Sequence, residues 1–245
     1  MSRFFVPREA VRGNNITISG KEAHHILDVM RLKELDRVVA FDGTGREYVG
    51  FIKEAKEKFL SVEIVEIETR TPLGRERSAI TLIQAIPKKD KMDYIIEKAS
   101  ELGVGSVIPV ITKRTIPKWD EKKGARNVER WQKIAKEASK QCGRVTVPEI
   151  GIVRSFSDSL KDSSDYDLAI MAVLNDEAIR LRDALSGFKG GKIAIAVGPE
   201  GDFTTDEVKR AKEANFKLVN LGPRVLKSDT AGLALLAILK YEFSS

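Results

Sequence analysis

The chain has 245 residues, of which 42% are hydrophobic and 32% are charged, and its net charge is +6. This length suits a small domain together with a medium one, and the apolar content argues against extensive disorder. The single cysteine excludes an intrachain disulfide and a cysteine-based zinc site, while the basic balance favours nucleic acid or another polyanion as a partner.

The first 70 residues are predicted to form a small β-barrel. Short runs rich in apolar residues indicate strands, one of which alternates as a half-buried strand should. The stretch "DGTGR" between two of these runs is typical of a hairpin turn. Several short strands with one candidate helix suggest a barrel. The predicted strands begin at Ile16 and cover 37–41, 47–52 and 59–67, and the candidate helix covers 20–32.

The rest of the chain, residues 72–245, is predicted to be an α/β domain. A charged stretch with Pro and Gly, residues 68–78, reads as the linker before it. Strands that are nearly all apolar then alternate with helices, which indicates a parallel sheet covered on both faces. Asp90 is expected to cap the first of these helices, and Thr204 with Glu207 has capping-box spacing. The predicted strands cover 79–86, 106–112, 167–173, 192–198 and 217–222, and the predicted helices cover 90–103, 127–141, 204–216 and 230–241.

Several common site signatures are missing from the chain. The stretch "GFKGGKIAIA" imitates a phosphate-binding loop, but Lys192 enters a strand, whereas such a lysine must open a helix. His24 and His25 are the only histidines, and adjacent residues on a helix point about 100° apart. We therefore expect no metal site and no serine triad, and we assign the two histidines to the helix surface or to packing.

Two loops that join a strand to a helix carry the strongest signals. "VGPEGDFTTDEV", residues 197–208, combines glycines that allow close backbone approach with Glu200 at the carboxyl end of a strand. "LGPRVLKSDTAG", residues 221–232, places the cations Arg224 and Lys227 beside apolar Val225 and Leu226. Two such loops at consecutive strand ends could enclose a ligand with polar and apolar parts.

The final predicted helix, residues 230–241, has leucines and an isoleucine around its whole circumference. A helix of this kind must be buried on all sides. One side is expected to pack on the sheet of its own chain, and another on a partner subunit.

Five stretches of the chain resemble the RsmE family of bacterial small-subunit rRNA uridine N3-methyltransferases, and they occur along the chain in the same order as in that family. Two are the loops "AVGPEGDFTTDEV" and "LGPRVLKSDTA". The others are "HHILDVMRLK", "KKDKMDYIIEKASELGV" and "EASKQCGRVTVPEI", and together they span nearly the whole chain.

The resemblance implies a PUA-like N-terminal barrel that binds RNA and a C-terminal SPOUT-type α/β domain whose parallel sheet ends in a deep trefoil knot. It also implies a homodimer, S-adenosylmethionine as methyl donor, and N3 of a uridine in 16S rRNA as the target. The cofactor is expected among the knot loops. The residues so implied are Leu174, Gly198, Pro199, Glu200, Gly201, Leu221, Gly222, Val225, Leu226, Thr230 and Ala231.

Methylation of uracil N3 requires loss of the N3 proton, which puts negative charge on the carbonyl oxygens. Arg224 is our candidate for stabilising that charge, and Glu200 is the weaker candidate for accepting the proton or orienting the base, with water as an alternative acceptor. Family members commonly carry Arg where this chain has Lys227, which keeps the charge but lacks the planar fork of arginine.

Phosphate contacts are expected to hold the RNA and to weaken steeply with salt. The candidates are Arg31, Lys88, Arg114, Arg144 and Lys227.

Two other functions stay open, namely an RNA-binding ribosome-assembly factor without catalysis and a SPOUT methyltransferase that acts on tRNA. The substrate is expected within the 30S particle or its precursor. Because the first residues lack a long apolar core and no apolar run reaches about 18 residues, we expect a cytoplasmic protein with no membrane partner.

Overall fold

A computed structural model describes residues 3–56, 59–69, 78–116 and 120–243. Contacts divide the chain into an N-terminal unit, Met1–Gly74 with Ser139–Val147, and a C-terminal unit, Arg75–Ala138 with Pro148–Ser245. Most of the predicted linker, residues 70–77, lies outside the described residues. The sequence-based division into 1–70 and 72–245 stays a prediction.

The N-terminal unit contains a six-stranded sheet in the order β1-β4-β5-β6-β3-β2. All neighbours in this sheet are antiparallel except β1 and β4, which are parallel. The candidate helix is present as a short α-helix that continues into a π-helical turn. The elements are β1 Arg3–Phe5, β2 Val11–Arg12, β3 Asn15–Ser19, α1 Gly20–His24, the π turn His25–Val29, β4 Arg37–Phe41, β5 Arg46–Lys56 and β6 Phe59–Thr69, with a 3-10 turn at Arg8–Ala10.

Alternation along the strands builds the core of this unit. In β3 the two isoleucines point inward and the polar residues point outward, as the pattern predicts. The long β5–β6 pair contains a register shift between Val49 and Gly50. A Cβ at Gly50 would collide with the backbone carbonyl of Glu63, so only glycine fits this close approach.

The N-terminal unit includes a segment from far along the sequence, residues 139–147. Lys140 forms an ion pair of 2.7 Å with Glu22, and Arg3 donates to the carbonyl of Gly143. The backbone N–H of Gly45 donates to the carbonyl of Val145 over 3.1 Å. The segment is therefore part of this unit through both backbone and side-chain bonds, which the sequence pattern did not indicate.

The C-terminal unit is built on an eight-stranded sheet in which all pairs are parallel. Its order is β10-β8-β7-β13-β11-β14-β12, and β9 pairs with β8. The strands are β7 Ser78–Ala85, β8 Ser106–Ile111, β9 Glu149–Ile150, β10 Arg154–Ser155, β11 Leu168–Ala172, β12 Ile179–Arg180, β13 Gly191–Val197 and β14 Lys217–Asn220. The helices are α2 Lys91–Glu101, α3 Glu121–Cys142, α4 Phe156–Ser159, α5 Leu181–Leu185, α6 Thr205–Glu213 and α7 Ser228–Phe243, with a 3-10 turn at Leu160–Asp165.

The central strands of this sheet are buried on both faces. Five consecutive residues of β13, Ile193–Val197, are buried, and β11 is nearly as apolar. Helices on both sides of the sheet account for this pattern. The predicted α/β class with a parallel sheet is confirmed.

The helix ends agree with the sequence in part. Thr204 and Glu207 form the predicted capping box. Gly103 follows α2 with a φ of +86°, which glycine adopts without strain. Asp90 occupies the N-cap position of α2, as predicted, but its side chain makes no capping hydrogen bond. Helix α3 begins at Glu121 rather than at residue 127.

The last helix, α7, packs on α2, β7 and β13. Leu235, Leu236 and Leu239 are fully buried within the chain. On the opposite side Ile238 is 45% exposed and Tyr241 is 85% exposed. A single chain therefore buries one face of this apolar helix and leaves another open. In the part of the chain that the structure describes, no helix is long and apolar enough to cross a membrane.

Candidate functional site

A cavity of about 230 Å³ lies at the carboxyl ends of β11, β13 and β14. Ligands bind at this edge in open α/β sheets. Both loops singled out in the sequence contribute to it. The lining residues are Ala172, Val173, Leu174, Val197, Gly198, Pro199, Glu200, Asp202, Val219, Leu221, Arg224, Val225, Leu226, Lys227, Ser228 and Ala231.

A buried relay joins the two loops beneath the cavity. The hydroxyl of Ser228, at the start of α7, donates to the carbonyl of Gly198 over 2.5 Å. The side-chain amide of Gln84, in β7, donates to the same hydroxyl over 3.0 Å. Both side chains are buried, so the relay fixes the start of α7 against the end of β13.

Glu200 is fully engaged by its neighbours. Its carboxylate accepts the backbone N–H of Lys88 over 3.1 Å, and the ammonium of Lys91 lies 3.4 Å away. Partial burial raises the pKa of Glu200, but bonds from its own N–H, from Lys88 and from Lys91 outweigh that effect. The pKa is therefore lower than the ordinary 4.5, which disfavours Glu200 as a proton acceptor near neutral pH.

Asp202 fixes the cavity wall in a way that sequence reasoning missed. Its φ is +60°, a conformation that aspartate tolerates better than most residues. One carboxylate oxygen accepts the N–H of Leu174 over 3.2 Å, and the other accepts the N–H of Phe203 over 2.8 Å. The loop after β13 is thereby tied to the loop after β11.

Arg114 also contacts the loop after β13. Its guanidinium donates to the carbonyl of Gly201 over 2.6 Å and to that of Phe203 over 3.3 Å. A residue predicted to contact RNA thus bonds directly to a loop of the cavity.

The second loop, residues 221–227, is arranged differently. Arg224 is exposed and makes no hydrogen bond or ion pair with any residue that the structure describes. Val225 is 73% exposed although it is apolar. The carbonyl of Lys227 accepts the N–H groups of Thr230 and Ala231, which starts α7, and its side chain is exposed.

The structure brings most of the predicted cofactor residues to one place. Gly201, Gly222 and Thr230 do not line the cavity. Asp202 and Ser228 do line it, although neither is among the predicted cofactor residues. The predicted cofactor residues found in the lining are Leu174, Gly198, Pro199, Glu200, Leu221, Val225, Leu226 and Ala231. Arg224, predicted to stabilise charge, and Lys227, predicted to contact RNA, also line it.

The other predicted RNA contacts fall in both units. Arg31 is exposed in the N-terminal unit with a φ of +56°. Arg144 belongs to the same unit and donates to the hydroxyl of Thr146 over 3.2 Å. The side chain of Lys88 is exposed in the C-terminal unit.

The two histidines belong to the N-terminal unit, do not line the cavity, and differ from each other in environment. His24 is exposed and lies 2.5 Å from the carboxylate of Asp28. His25 packs edge-on against Phe4, with ring centroids 5.9 Å apart. These contacts agree with the surface and packing roles expected for them.

Comparison with known proteins first defines the class. A family model described as an RNA methyltransferase domain matches residues 75–240, and one described as an RNA methyltransferase PUA domain matches residues 18–65. The two models cover the α/β unit with its cavity and much of the N-terminal sheet, so the class is RNA methyltransferase.

Individual relatives then narrow the class. The ribosomal RNA small subunit methyltransferase E of Bacillus subtilis is 33% identical, with 99% of this chain and 97% of that protein covered. The enzyme of the same name from Rickettsia conorii is 32% identical, with 96% and 93% covered. A structure of the enzyme of that name from Neisseria gonorrhoeae, bound to S-adenosyl methionine, superposes with a TM-score of 0.86 at 30% identity, with 99% and 98% covered.

The chain therefore belongs to the ribosomal RNA small subunit methyltransferase E family, as its motifs indicated.

Proposed function

We propose that the protein transfers a methyl group from S-adenosylmethionine to N3 of a uridine in 16S rRNA. The observation that carries this proposal is the cavity between the loops 198–202 and 221–228, at the strand edge where α/β sheets bind ligands. The family of the chain and the cofactor-bound relative of the same fold support it.

The chemistry of the cavity fits this cofactor. Valines, leucines and alanines make most of the lining and suit a purine and ribose. The carboxylates of Glu200 and Asp202 supply negative charge beside a ligand that carries a positive sulfonium. Glu200 is ionised at neutral pH, because its pKa lies below 4.5.

In this proposal the bound cofactor supplies an electrophilic methyl group, and the chain positions the acceptor and stabilises charge. Arg224 lines the cavity, is exposed, and has no bond to any other described residue, so its guanidinium is available to the uracil oxygens when the N3 proton leaves. Glu200 orients the loop, because its oxygens are already occupied. The proton then passes to water.

We also propose that the C-terminal unit contains a trefoil knot and that the loop 221–227 is part of it. Strand β14 lies on one side of β11, whereas β13 and β7, which α7 packs against, lie on the other side. The seven-residue connection from β14 to α7 must therefore return across the carboxyl end of β11. That path beside the loops after β11 and β13 supports a knot at the cofactor site.

A homodimer through the C-terminal unit is part of the proposal. The exposed side of α7 carries Ile238 and Tyr241, and Tyr94 on the neighbouring α2 is half exposed. Apolar residues on two adjacent helices favour a protein partner. Replacing Ile238 and Tyr241 by glutamate should give a monomer in light scattering and weaken cofactor binding at least tenfold, whereas a dimer with normal affinity would contradict the proposal.

RNA is proposed to bind through Arg31, Lys88, Arg144 and Lys227, with residues 1–70 acting as a PUA-like binding domain. We place the reaction on the 30S particle or its precursor, and hence in the cytoplasm. If these four cations contact phosphates, the affinity for RNA should fall steeply as the salt concentration rises. A nearly flat salt response would contradict this part of the proposal.

Labelled cofactor tests the reaction directly. The protein is incubated with S-adenosylmethionine carrying a labelled methyl group, and with unmodified small-subunit rRNA, 30S particles or tRNA in separate reactions. We expect label in the small-subunit rRNA or particle. Label in tRNA alone would favour a tRNA methyltransferase, and RNA binding without label would favour an assembly factor.

A further inference from the structure

The segment that follows β8, residues 112–115, is bonded to the helix that follows the cavity loop. The backbone N–H of Lys113 donates over 2.8 Å to the carboxylate of Glu207, which is buried in α6 and forms the capping box with Thr204. The segment is also closed on itself, because the N–H of Thr112 donates to the hydroxyl of Thr115 over 2.9 Å. It therefore offers a fixed platform beside the loop.

Arg114 extends from this platform onto the loop. One nitrogen of its guanidinium, Nη1, donates to two carbonyls, those of Gly201 and Phe203. Between those two residues lies Asp202, which fixes Leu174 in the cavity wall. One side chain thus holds the loop on both sides of a cavity-lining residue.

The glycine at position 201 shows how closely the arginine lies against the loop. A Cβ at Gly201 would lie 3.4 Å from Cδ and 3.5 Å from Cβ of Arg114, which is van der Waals contact. Gly201 itself does not line the cavity. The backbone of Gly201 instead faces the aliphatic carbons of the Arg114 side chain, and the guanidinium of Arg114 donates to the carbonyl of Gly201.

We infer that Arg114 is a positioning residue of the cofactor site, which holds the loop 198–204 in its binding shape, rather than a contact to RNA phosphate. The inference rests on the proposed function. Arg114 does not line the cavity, so it acts through Asp202 and the adjacent backbone. The sequence could not distinguish this role from a phosphate contact, since both need an exposed cation at a strand end.

The two roles respond differently to substitution by lysine. A phosphate contact needs mainly a positive charge, which lysine keeps. Both bonds come from Nη1, which lies one covalent bond further along the side chain than the ammonium of lysine would. A lysine at this position therefore does not reach both carbonyls with the same geometry. Arg114→Lys should therefore damage a positioning residue and largely preserve a phosphate contact.

The experiment compares wild type with Arg114→Lys and Arg114→Gln, using Arg126→Lys and Arg126→Gln as matched controls. Arg126 is an exposed arginine on α3 whose side chain makes no hydrogen bond or ion pair with any other described residue. Calorimetry gives the Kd for S-adenosylmethionine, and steady-state kinetics with unmodified small-subunit rRNA gives KM for each substrate. The salt dependence of RNA binding and the unfolding midpoint without cofactor complete the set.

For both Arg114 variants we expect the Kd and KM for the cofactor to rise about tenfold, the effect of losing charge-assisted bonds. The RNA salt dependence should not change, and both Arg126 controls should match wild type in cofactor affinity. A phosphate role would instead leave cofactor affinity normal in both variants and lower the salt slope by about 0.7 to 0.9 in Arg114→Gln.

Two further results would overturn the inference. One is a lower unfolding midpoint with normal cofactor affinity, which would indicate a merely structural bond. The other is normal affinity in Arg114→Lys alone, which would show that charge is sufficient. A wild-type protein that does not bind the cofactor would instead contradict the proposed function, so the two failures are distinguishable.

Discussion

The two loops of the cavity differ in how the rest of the chain holds them. The loop 198–204 is bonded to Ser228 of α7 and to Lys88, Arg114 and Leu174, each time through a side chain. Ser228 in turn accepts from Gln84 of β7. The loop 221–227 presents Arg224 and Val225 to solvent, and Arg224 has no bond to any other described residue. The first loop is suited to shape a cofactor site, and the second to meet an incoming substrate.

Replacing Arg224 should have the largest effect. In Arg224→Ala we expect kcat to fall about 100-fold or more, because a donor to the developing oxyanion is lost. Cofactor Kd should stay within about twofold. Arg182→Ala, which removes an exposed arginine from α5, is the control and should keep full activity. Near-normal turnover in Arg224→Ala would remove this residue from the chemistry.

Breaking the buried relay should mainly affect stability. Ser228→Ala leaves the carbonyl of Gly198 without this donor and the amide of Gln84 without this acceptor. We expect the free energy of unfolding to fall by about 2 kcal/mol, measured by urea denaturation. Ser228→Thr keeps the hydroxyl and should restore most of the loss. Equal losses in both variants would show that the hydroxyl is not responsible.

Asp202→Asn tests the tie between the loops after β11 and β13. Asparagine tolerates the positive φ of this position but keeps only one of the two carboxylate acceptors. Losing one hydrogen bond should raise the Kd for the cofactor about fivefold, with kcat nearly unchanged. A fall in kcat at unchanged Kd would assign Asp202 to the chemistry instead.

Glu200 should give the smallest effect near neutral pH. Its pKa in the folded protein is lower than 4.5, so its bonds to Lys88 and Lys91 are fully present above that value and are lost as the pH falls through the lower pKa. Between pH 5 and 8 the carboxylate stays ionised. The profile of kcat in this window should therefore keep its shape in Glu200→Gln, with about a twofold change in rate. If an acidic limb of the wild-type profile vanished in the variant, Glu200 would be the proton acceptor.

The sequence predicted the central architecture of the C-terminal unit because its signals are local. The apolar strands β7, β11 and β13 and the capping box at Thr204 can be read from neighbouring residues. The short strands β9, β10 and β12 have two residues each and leave no pattern. The segment 139–147 joins the N-terminal unit through bonds to residues about 100 or more positions away, such as Lys140 with Glu22.

Prediction of the site from the sequence is limited in the same way, because only local signals can be read. The two loops were found through their glycines, charges and positions after strands, and their residues line one cavity. The roles of Asp202 and Arg114 depend on which backbone groups lie within 3.5 Å of them, which residue type and spacing do not encode. An exposed arginine at a strand end is compatible with phosphate or with a loop carbonyl, and only the folded structure distinguishes the two.

The most direct measurement of the central claim is mass spectrometry of nucleosides from 16S rRNA after incubation with the protein and S-adenosylmethionine. We predict one new modified nucleoside, 3-methyluridine, which is absent without protein and strongly reduced with Arg224→Ala. A methyl group on a ribose, on another base, or only on tRNA would contradict the account.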